Sequence, residues 1–414
     1  MADQTAATET YTQGRAYEHV AGQPDLEIAL TGRGTAPGRL LRRYWQPIAR
    51  ANEVAALPVA VKVLGEELVL FRCKAGVGLV YPRCIHRGAS LLHGKIEPDG
   101  LRCCYHGWLF DPEGSLIEAP CEPRGAVPSG LRQPWYPVVE RFGLIWTYMG
   151  PADKQPPFPR FPWTERLPAG VKVVAGGAAI LDETRGIFPE KQDFNWWHLF
   201  DNLMDPFHLY VLHSRISGYH FGSLMSVLPL VAFQPLSNGV VSVARREGRD
   251  GTRHYFVSHS LLPNVSCSTP VGGGGGPMMI WIVPRDDTSY RTFTLSSSEE
   301  GDPPIGLDDF RPWVGPDKPA ADWTDEDHQR WPTDYTVLKG MGPVALHSEE
   351  HLTTIDRGIS LMRRLFKRQV QSLAEGHDPI GACRQEPYIL DPICFTEAEI
   401  DQMLPKRSAA EPSS

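Results

Sequence analysis

Residues 84–108, CIHRGASLLHGKIEPDGLRCCYHGW, decide how the rest of the chain is read. Cys84-Ile85-His86 is followed, after sixteen residues, by Cys103-Cys104-Tyr105-His106, a C-x-H…C-x-x-H pattern. Two thiolates and two imidazoles suit zinc or an iron–sulfur cluster. Spacing separates the two. Zinc fingers open with a pair of cysteines and close with a pair of histidines. Here each loop brings one of each, which suits a two-iron cluster with both cysteines on one iron and both histidines on the other. Gly88 and Gly107 would let backbone N–H groups approach the sulfides. Cys104-Tyr105-His106 is itself a C-x-H, so Cys104 competes with Cys103. The longer spacing leaves a turn between sulfur and imidazole and favours Cys103. Cys73, Cys121, Cys267, Cys383 and Cys394 are expected to be buried packing residues. The bland alternative, two hairpin tips with chance Cys and His, has to place four ligands by accident.

The flanks read as strands. VAVKVLG, ELVLFRC and GVGLVYP precede the pattern, and PVVERFGLIWTYMG follows it, so residues 45 to about 150 read as a small all-β module. Before it, residues 1 to about 25 look like a loose polar arm, and GRLLRRYW, Gly38 to Trp45, suggests a short helix. After it, PADKQPPFPRFPW reads as a linker. Strands are then expected at Val171–Leu181, Gly239–Arg246, His254–Leu262, Met278–Val283 and Tyr290–Ser296. A helix is expected near Asn195–Tyr210 and a loop over Glu299–Trp331. A long helix is expected from Ser348 to Glu375, its buried stripe running Ile355, Ile359, Met362, Phe366, Val370 and Leu373. The second part is thus α+β, a mostly antiparallel sheet with helices packed on it.

Composition bounds the function. The 414 residues are 42% hydrophobic and 22% charged, close to globular averages, and can bury a core without staples. A net charge of −8 argues against broad nucleic-acid binding, which needs a basic footprint. No apolar run reaches the ~18 residues of a membrane span, and the polar N-terminal stretch lacks a signal-peptide core. The expected location is the cytoplasm, where cysteines clustered with histidines read as metal ligands.

A second constellation stands at Asn195-Trp196-Trp197-His198-Leu199-Phe200-Asp201-Asn202-Leu203-Met204-Asp205-Pro206-Phe207-His208, continuing to His213. Its core is D-x-x-H-x-x-x-x-H. Asp205 and His208, three apart, would share a helical face. His208 and His213, five apart, differ by about 140° round a regular helix. Both can serve one metal only if the helix ends or bends near Tyr210–Leu212.

Together the two constellations resemble the Rieske non-heme iron oxygenase α-subunits, over about residues 30 to 375. Arg87 after His86 and Gly107-Trp108 after His106 strengthen the likeness. The extra cysteine pair of respiratory-type Rieske proteins is absent: residue 89 is Ala, and Cys104 alone forms no bridge. The resemblance implies a small antiparallel β Rieske domain over residues 45–155, after an arm and short helix at 1–44. It implies a helix-grip catalytic domain over 156–403, with an antiparallel sheet and long helices, and a flexible tail at 404–414. It implies a [2Fe-2S] cluster on Cys84, His86, Cys103 and His106. It implies a mononuclear non-heme Fe(II) on His208, His213 and Asp356, with Glu349 and Glu350 as competitors for the carboxylate. Asp205 would then be no ligand but a bridge from an iron histidine to a cluster histidine of a neighbouring subunit in a homotrimer.

The implied activity is that of a terminal oxygenase, using O2 and electrons from a separate NAD(P)H-dependent reductase or ferredoxin to hydroxylate or O-demethylate an aromatic substrate. The single-chain form and D-P-F-H resemble the phthalate-dioxygenase-like branch, which includes aryl O-demethylases. No G-x-G-x-x-G follows a strand, and VGGGGGP lacks the Lys-Ser/Thr of a phosphate loop, so no nucleotide site is expected here. Asn202 and Trp196 are candidates to shape the iron pocket, and Arg185, Lys191 and Arg357 to attract an anionic substrate. Two rivals remain: an electron carrier keeping only the cluster, and a zinc-stapled binding protein.

Overall fold

A computed structural model describes residues 19–123, 126–177, 191–216, 223–272, 276–299, 315–316, 318 and 322–406. The expected loose arm up to residue 18, the expected tail beyond residue 406, the end of the expected strand after residue 177 and Arg185 lie outside them. At the start, helices α1 (Leu26–Ala29) and α2 (Ala36–Leu41) are short and capped by Asp25 and Thr35. Next come eleven strands in three antiparallel sheets. They are β1 (Gln46–Arg50), β2 (Val59–Val63), β3 (Glu66–Cys73), β4 (Gly76–Val80), β5 (Lys95–Glu97) and β6 (Gly100–Arg102). β7 (Leu109–Phe110), β8 (Leu116–Glu118), β9 (Trp135–Tyr136), β10 (Val138–Arg141) and β11 (Leu144–Thr147) complete them. The sheets run β1-β11-β10, β2-β3-β4-β9 and β5-β6-β7-β8.

The second half is built on one antiparallel sheet. Its strands are β12 (Val171–Gly177), β13 (Lys191–Gln192), β14 (Leu230–Pro235), β15 (Gly239–Glu247), β16 (Arg253–Leu261), β17 (Val265–Ser268), β18 (Met278–Asp286) and β19 (Ser289–Glu299). Their order is β12-β19-β18-β17-β16-β15-β14, with β13 also on β19. Alternation gives the sheet two different faces. Val241, Val243 and Val257 pack under Ile400 and Leu404 of the C-terminal helix. The other face carries Val240, Ser242, Ala244 and Arg246 on β15, opposite Ser260, Ser258, Phe256 and His254 on β16.

Among the described residues six α-helices belong to this half: α3 (Trp196–Asn202), α4 (His208–Val211), α5 (Asp325–Arg330), α6 (Asp334–Gly340), α7 (Arg357–Ala374) and α8 (Glu397–Met403). Helix α7 buries Ile359, Met362, Leu365 and Phe366 as one stripe. It starts nine residues later than the sequence suggests. Thr353 and Asp356 form a capping box on a 3-10 turn, Thr354–Asp356, just before it, so Ile355 stays outside the helix and is 45% exposed. The expected Asn195–Tyr210 helix is likewise two pieces, α3 and α4, parted at Asp205-Pro206, because proline cannot donate to the preceding turn. Strands β14 and β17 and helices α6 and α8 carry no expectation from the sequence, and helix α5 stands in part of the stretch expected to be loop. Among the described residues no helix is long and apolar enough to cross a membrane.

The two halves share one core. Trp146 meets Trp281 edge-on at 5.1 Å, and Phe161 lies 5.9 Å from Trp281. The turn between β2 and β3 has positive φ at Leu64 (49°) and Gly65 (79°), as a two-residue hairpin turn requires. Its N–H groups donate to the carbonyls of Pro284 and Arg285 on β18, each at 2.8 Å. Lys62 and Asp286 form an ion pair beside them.

Candidate functional site: two metal centres

The loops after β4 and after β6 are built alike. In each, the N–H of the fourth residue beyond the cysteine donates back to that cysteine's carbonyl: Gly88 to Cys84 at 2.8 Å, Gly107 to Cys103 at 3.1 Å. Both glycines have positive φ, 75° and 73°, where an L side chain is strained. The cysteine N–H groups in turn donate to the carbonyls of Ala89 and Trp108, each at 2.8 Å. Cys84 and Cys103 are thereby buried and face one another as free thiols, whereas Cys104 is exposed. Burial first, then the Cys103 thiol, pushes the Cys84 thiol up to about 11, against the N–H groups of His86 and Arg87 aimed at its sulfur.

The imidazoles of His86 and His106 lie 4.5 Å apart, and the Trp108 ring stacks on His86 at 4.5 Å and 7°. His86 Nδ1 is buried with no hydrogen-bond partner. Two facing buried thiols, two convergent imidazoles and inward N–H groups fit a two-iron cluster. Side chains outside the expected set hold the loops. Gln133, fully buried, accepts from the Ile85 N–H at 3.0 Å and donates to the carbonyls of Tyr81 and Arg83, each at 2.8 Å. Arg102 donates to the Gly107 carbonyl at 2.6 Å and is clamped by Glu97 and Glu118.

The second centre lies where α4 changes pitch. α-Helical geometry ends at Val211, and Leu212–Ile216 is a π-helical turn. The wider turn brings residues five apart to one side, which is the bend that the His208/His213 spacing demands. His213 Nε2 lies 2.9 Å from Asp334 Oδ2, and His208 Nε2 lies 3.4 Å from Asp334 Oδ1. Metal-ligating atoms of these three residues all fall within 4.8 Å of one another. Asp334, the first residue of α6, is almost wholly buried, and Asn202 Nδ2 donates to its Oδ1 at 3.1 Å. Burial alone would raise its carboxyl, but His213 and His208 hold it well below the carboxylate range. Two imidazoles and a carboxylate that converge on one point fit a divalent cation.

Asp205 stands behind His208. Its Oδ2 lies 3.6 Å from His208 Nδ1, while Oδ1 accepts from the Phe207 N–H at 2.7 Å. Asp205 precedes α4 instead of sharing a helix with His208, yet it faces the ring nitrogen that points away from Asp334.

Several expectations need correction. Asp356 does not join the histidine cluster; its carboxylate accepts from the N–H and hydroxyl of Thr353, closing the 3-10 turn that leads into α7. The carboxylate that converges on them is Asp334. Glu350 is engaged by Arg363, which also binds Asp201, and Glu349 bonds the Gly22 N–H. Lys191 and Arg357 are exposed. Of the cysteines expected to be buried, only Cys267 is; Cys73 and Cys383 are half-buried, Cys121 and Cys394 exposed.

Comparison with known proteins follows the same lines. The Rieske [2Fe-2S] domain family matches residues 44–138. The chain is 40% identical over 376 residues to the phenoxybenzoate dioxygenase subunit alpha of Ectopseudomonas oleovorans, covering 89% of this chain and 90% of that one. It is 30% identical over 407 residues to the 5,5'-dehydrodivanillate O-demethylase oxygenase subunit of Sphingobium sp. (strain NBRC 103272 / SYK-6), covering 95% and 90%. Dicamba monooxygenase bound to dicamba shares the fold, with a TM-score of 0.59 at 21% identity over 82% of this chain and 100% of that one.

The chain belongs to the Rieske non-heme iron oxygenases, as an oxygenase, or α, subunit. Its cofactors are a Rieske [2Fe-2S] cluster and a mononuclear non-heme iron, and it acts as a terminal oxygenase supplied with electrons by a separate component. The electron-carrier and zinc-staple readings are set aside.

Proposed function

We propose that this subunit oxidises an aromatic compound by hydroxylation or O-demethylation, in the cytoplasm and as a homotrimer, with residues 45–155 carrying the cluster and 156–403 the iron. The observation that carries the reading is the convergence of His208, His213 and Asp334 in a chain that also brings Cys84, Cys103, His86 and His106 together. The relatives named for phenoxybenzoate and dehydrodivanillate support an aromatic substrate.

Cys84 and Cys103 would hold one iron of the cluster, and His86 and His106 the other. His208 and His213 through Nε2, with Asp334, would hold the mononuclear iron. When bound, the cluster supplies single electrons and the ferrous ion supplies O2 activation. The chain's own contribution is orientation and exclusion of water. Asn202 fixes the Asp334 carboxylate, and Trp108 fixes the His86 ring. Asp205, facing His208 Nδ1 at 3.6 Å, would favour the tautomer that leaves Nε2 free to ligate and would stand between His208 and a neighbouring subunit.

Metal and sulfide content test this. Anaerobically purified protein is expected to hold about three irons and two labile sulfides per chain. Asp334→Ala is expected to lose one iron, keep both sulfides and lose all turnover, while Asp356→Ala keeps all three irons. Iron loss from Asp356→Ala instead would overturn the ligand set. Formaldehyde release from a methoxylated aromatic would mark O-demethylation, and a diol product dihydroxylation.

A further inference from the structure

We propose that Arg246 is an anion seat beside the iron centre and selects substrates that carry a carboxylate. The inference rests on the oxygenase reading of that centre.

Arg246 is fully buried at the end of β15, on the polar face of the large sheet. Its Nη2 donates to the Pro206 carbonyl at 2.8 Å, and His208 follows two residues later. Its Nε and Nη1 have no partner. Among the described residues the other two buried arginines are paired with carboxylates, Arg42 with Glu66 at 2.9 Å and Arg43 with Asp378 at 2.5 Å. No carboxylate among the described residues lies against Arg246. Burial brings it down to about 10, so it stays charged at neutral pH. A buried, unpaired charge is strongly unfavourable unless something neutralises it.

The surroundings are prepared for such a group. His254 is directly opposite Arg246 on β16, and its Nδ1 is buried without a partner. Burial, then the charge of Arg246, lowers the His254 pKa, so at neutral pH the imidazole is uncharged and can still donate one N–H. Further along the same face the Ser242 and Ser260 hydroxyls are buried and unpartnered. Phe256 and Ala244 lie between them and Arg246 as an apolar step. A guanidinium with its remaining N–H groups undirected matches a planar carboxylate, which can accept two at once. An aryl carboxylate held there leaves its ring against Phe256 and Ala244, on the side from which Pro206 leads to His208.

The test reads binding, not turnover. Calorimetric titration compares benzoate with benzamide, its neutral near-isostere, on the iron-loaded protein. Wild type is expected to prefer benzoate by about tenfold or more, as a charge-assisted hydrogen bond provides. Arg246→Met should bring the ratio to about one, and Arg246→Lys, which keeps the charge but not the fork, should keep part of it. Visible absorption of the cluster reports folding; should Arg246→Met lose it, a reduced ratio in Arg246→Lys still decides. The proposal is overturned if wild type shows no benzoate preference, or if the folded variants keep it whole. Failure of the oxygenase reading would look different: no mononuclear iron and no O2 uptake, with the benzoate preference intact.

Discussion

The two centres of this chain are assembled by opposite means. The cluster loops lie within 25 consecutive residues, and each is closed by its own backbone: a five-residue turn, a left-handed glycine and a cysteine N–H returned to the residue after that glycine. Their histidines sit near a surface that also bears exposed Tyr105 and Cys104. The iron centre draws on two segments about 120 residues apart, and its carboxylate is almost wholly buried. Its backbone is irregular where it matters, a proline break before His208 and a π-turn at His213. A port for electrons needs exposure, and local turns can build it at a sheet edge. A reaction centre needs water kept out, and only tertiary packing can supply that.

Beyond the iron loss expected of Asp334→Ala, the largest effect should come from the residue that would join the centres. Asp205→Ala is expected to keep all the iron and a reducible cluster while product formation falls by about a hundredfold. Iron analysis beside steady-state turnover checks this; lost iron would make Asp205 a ligand. A smaller effect should separate the centres. Gln133→Ala leaves three partly buried backbone groups of the first cluster loop without their partner, at about 1–3 kcal/mol for each group that water cannot reach. The cluster's visible absorption should bleach faster on warming while mononuclear iron is retained. Simultaneous loss of both would break the contrast drawn above.

The smallest effect lies at the seam. Burial would raise the Asp286 carboxyl, but Lys62, Ser289 and the Thr288 N–H hold it at about 2. That is below the ordinary value of about 3.9, so the pair stabilises the fold above pH ~4 and the gain is lost as pH falls toward 2. Solvent reaches the pair, which limits the gain to about 1 kcal/mol. Asp286→Asn should therefore unfold in urea earlier than wild type at pH 7, with the gap closing near pH 2.5. A gap independent of pH would mean that packing, not charge, is lost.

The contrast also explains what could be read from the sequence. The cluster loops were legible because their proposed ligands, glycines and turns are neighbours in the chain. His208 and His213 were legible as a pair, down to the need for a bend. Asp334 was not, because Thr333-Asp334 and Thr353-x-x-Asp356 both look like ordinary acidic helix starts. What separates them is burial, hinted at only by Tyr335 and Leu338 around the first turn of α6. Arg246 had a signal: two-residue alternation puts it on the face of Val240 and Ala244. Gln133 had none, since its three partners lie about 50 residues away.

The hairpin turn at Leu64-Gly65 has a mechanical consequence. Its two backbone bonds into β18, with Trp146 wedged on Trp281 behind them, leave no hinge at this joint. A carrier that shuttles charge by swinging its head needs a slack tether, and this chain has riveted the head down. The cluster tip therefore keeps a fixed bearing on its own catalytic sheet. Whatever docks there must come to it, and in the homotrimer proposed above the distance an electron crosses would be set by how whole molecules stand together, not by how far one part of a molecule moves.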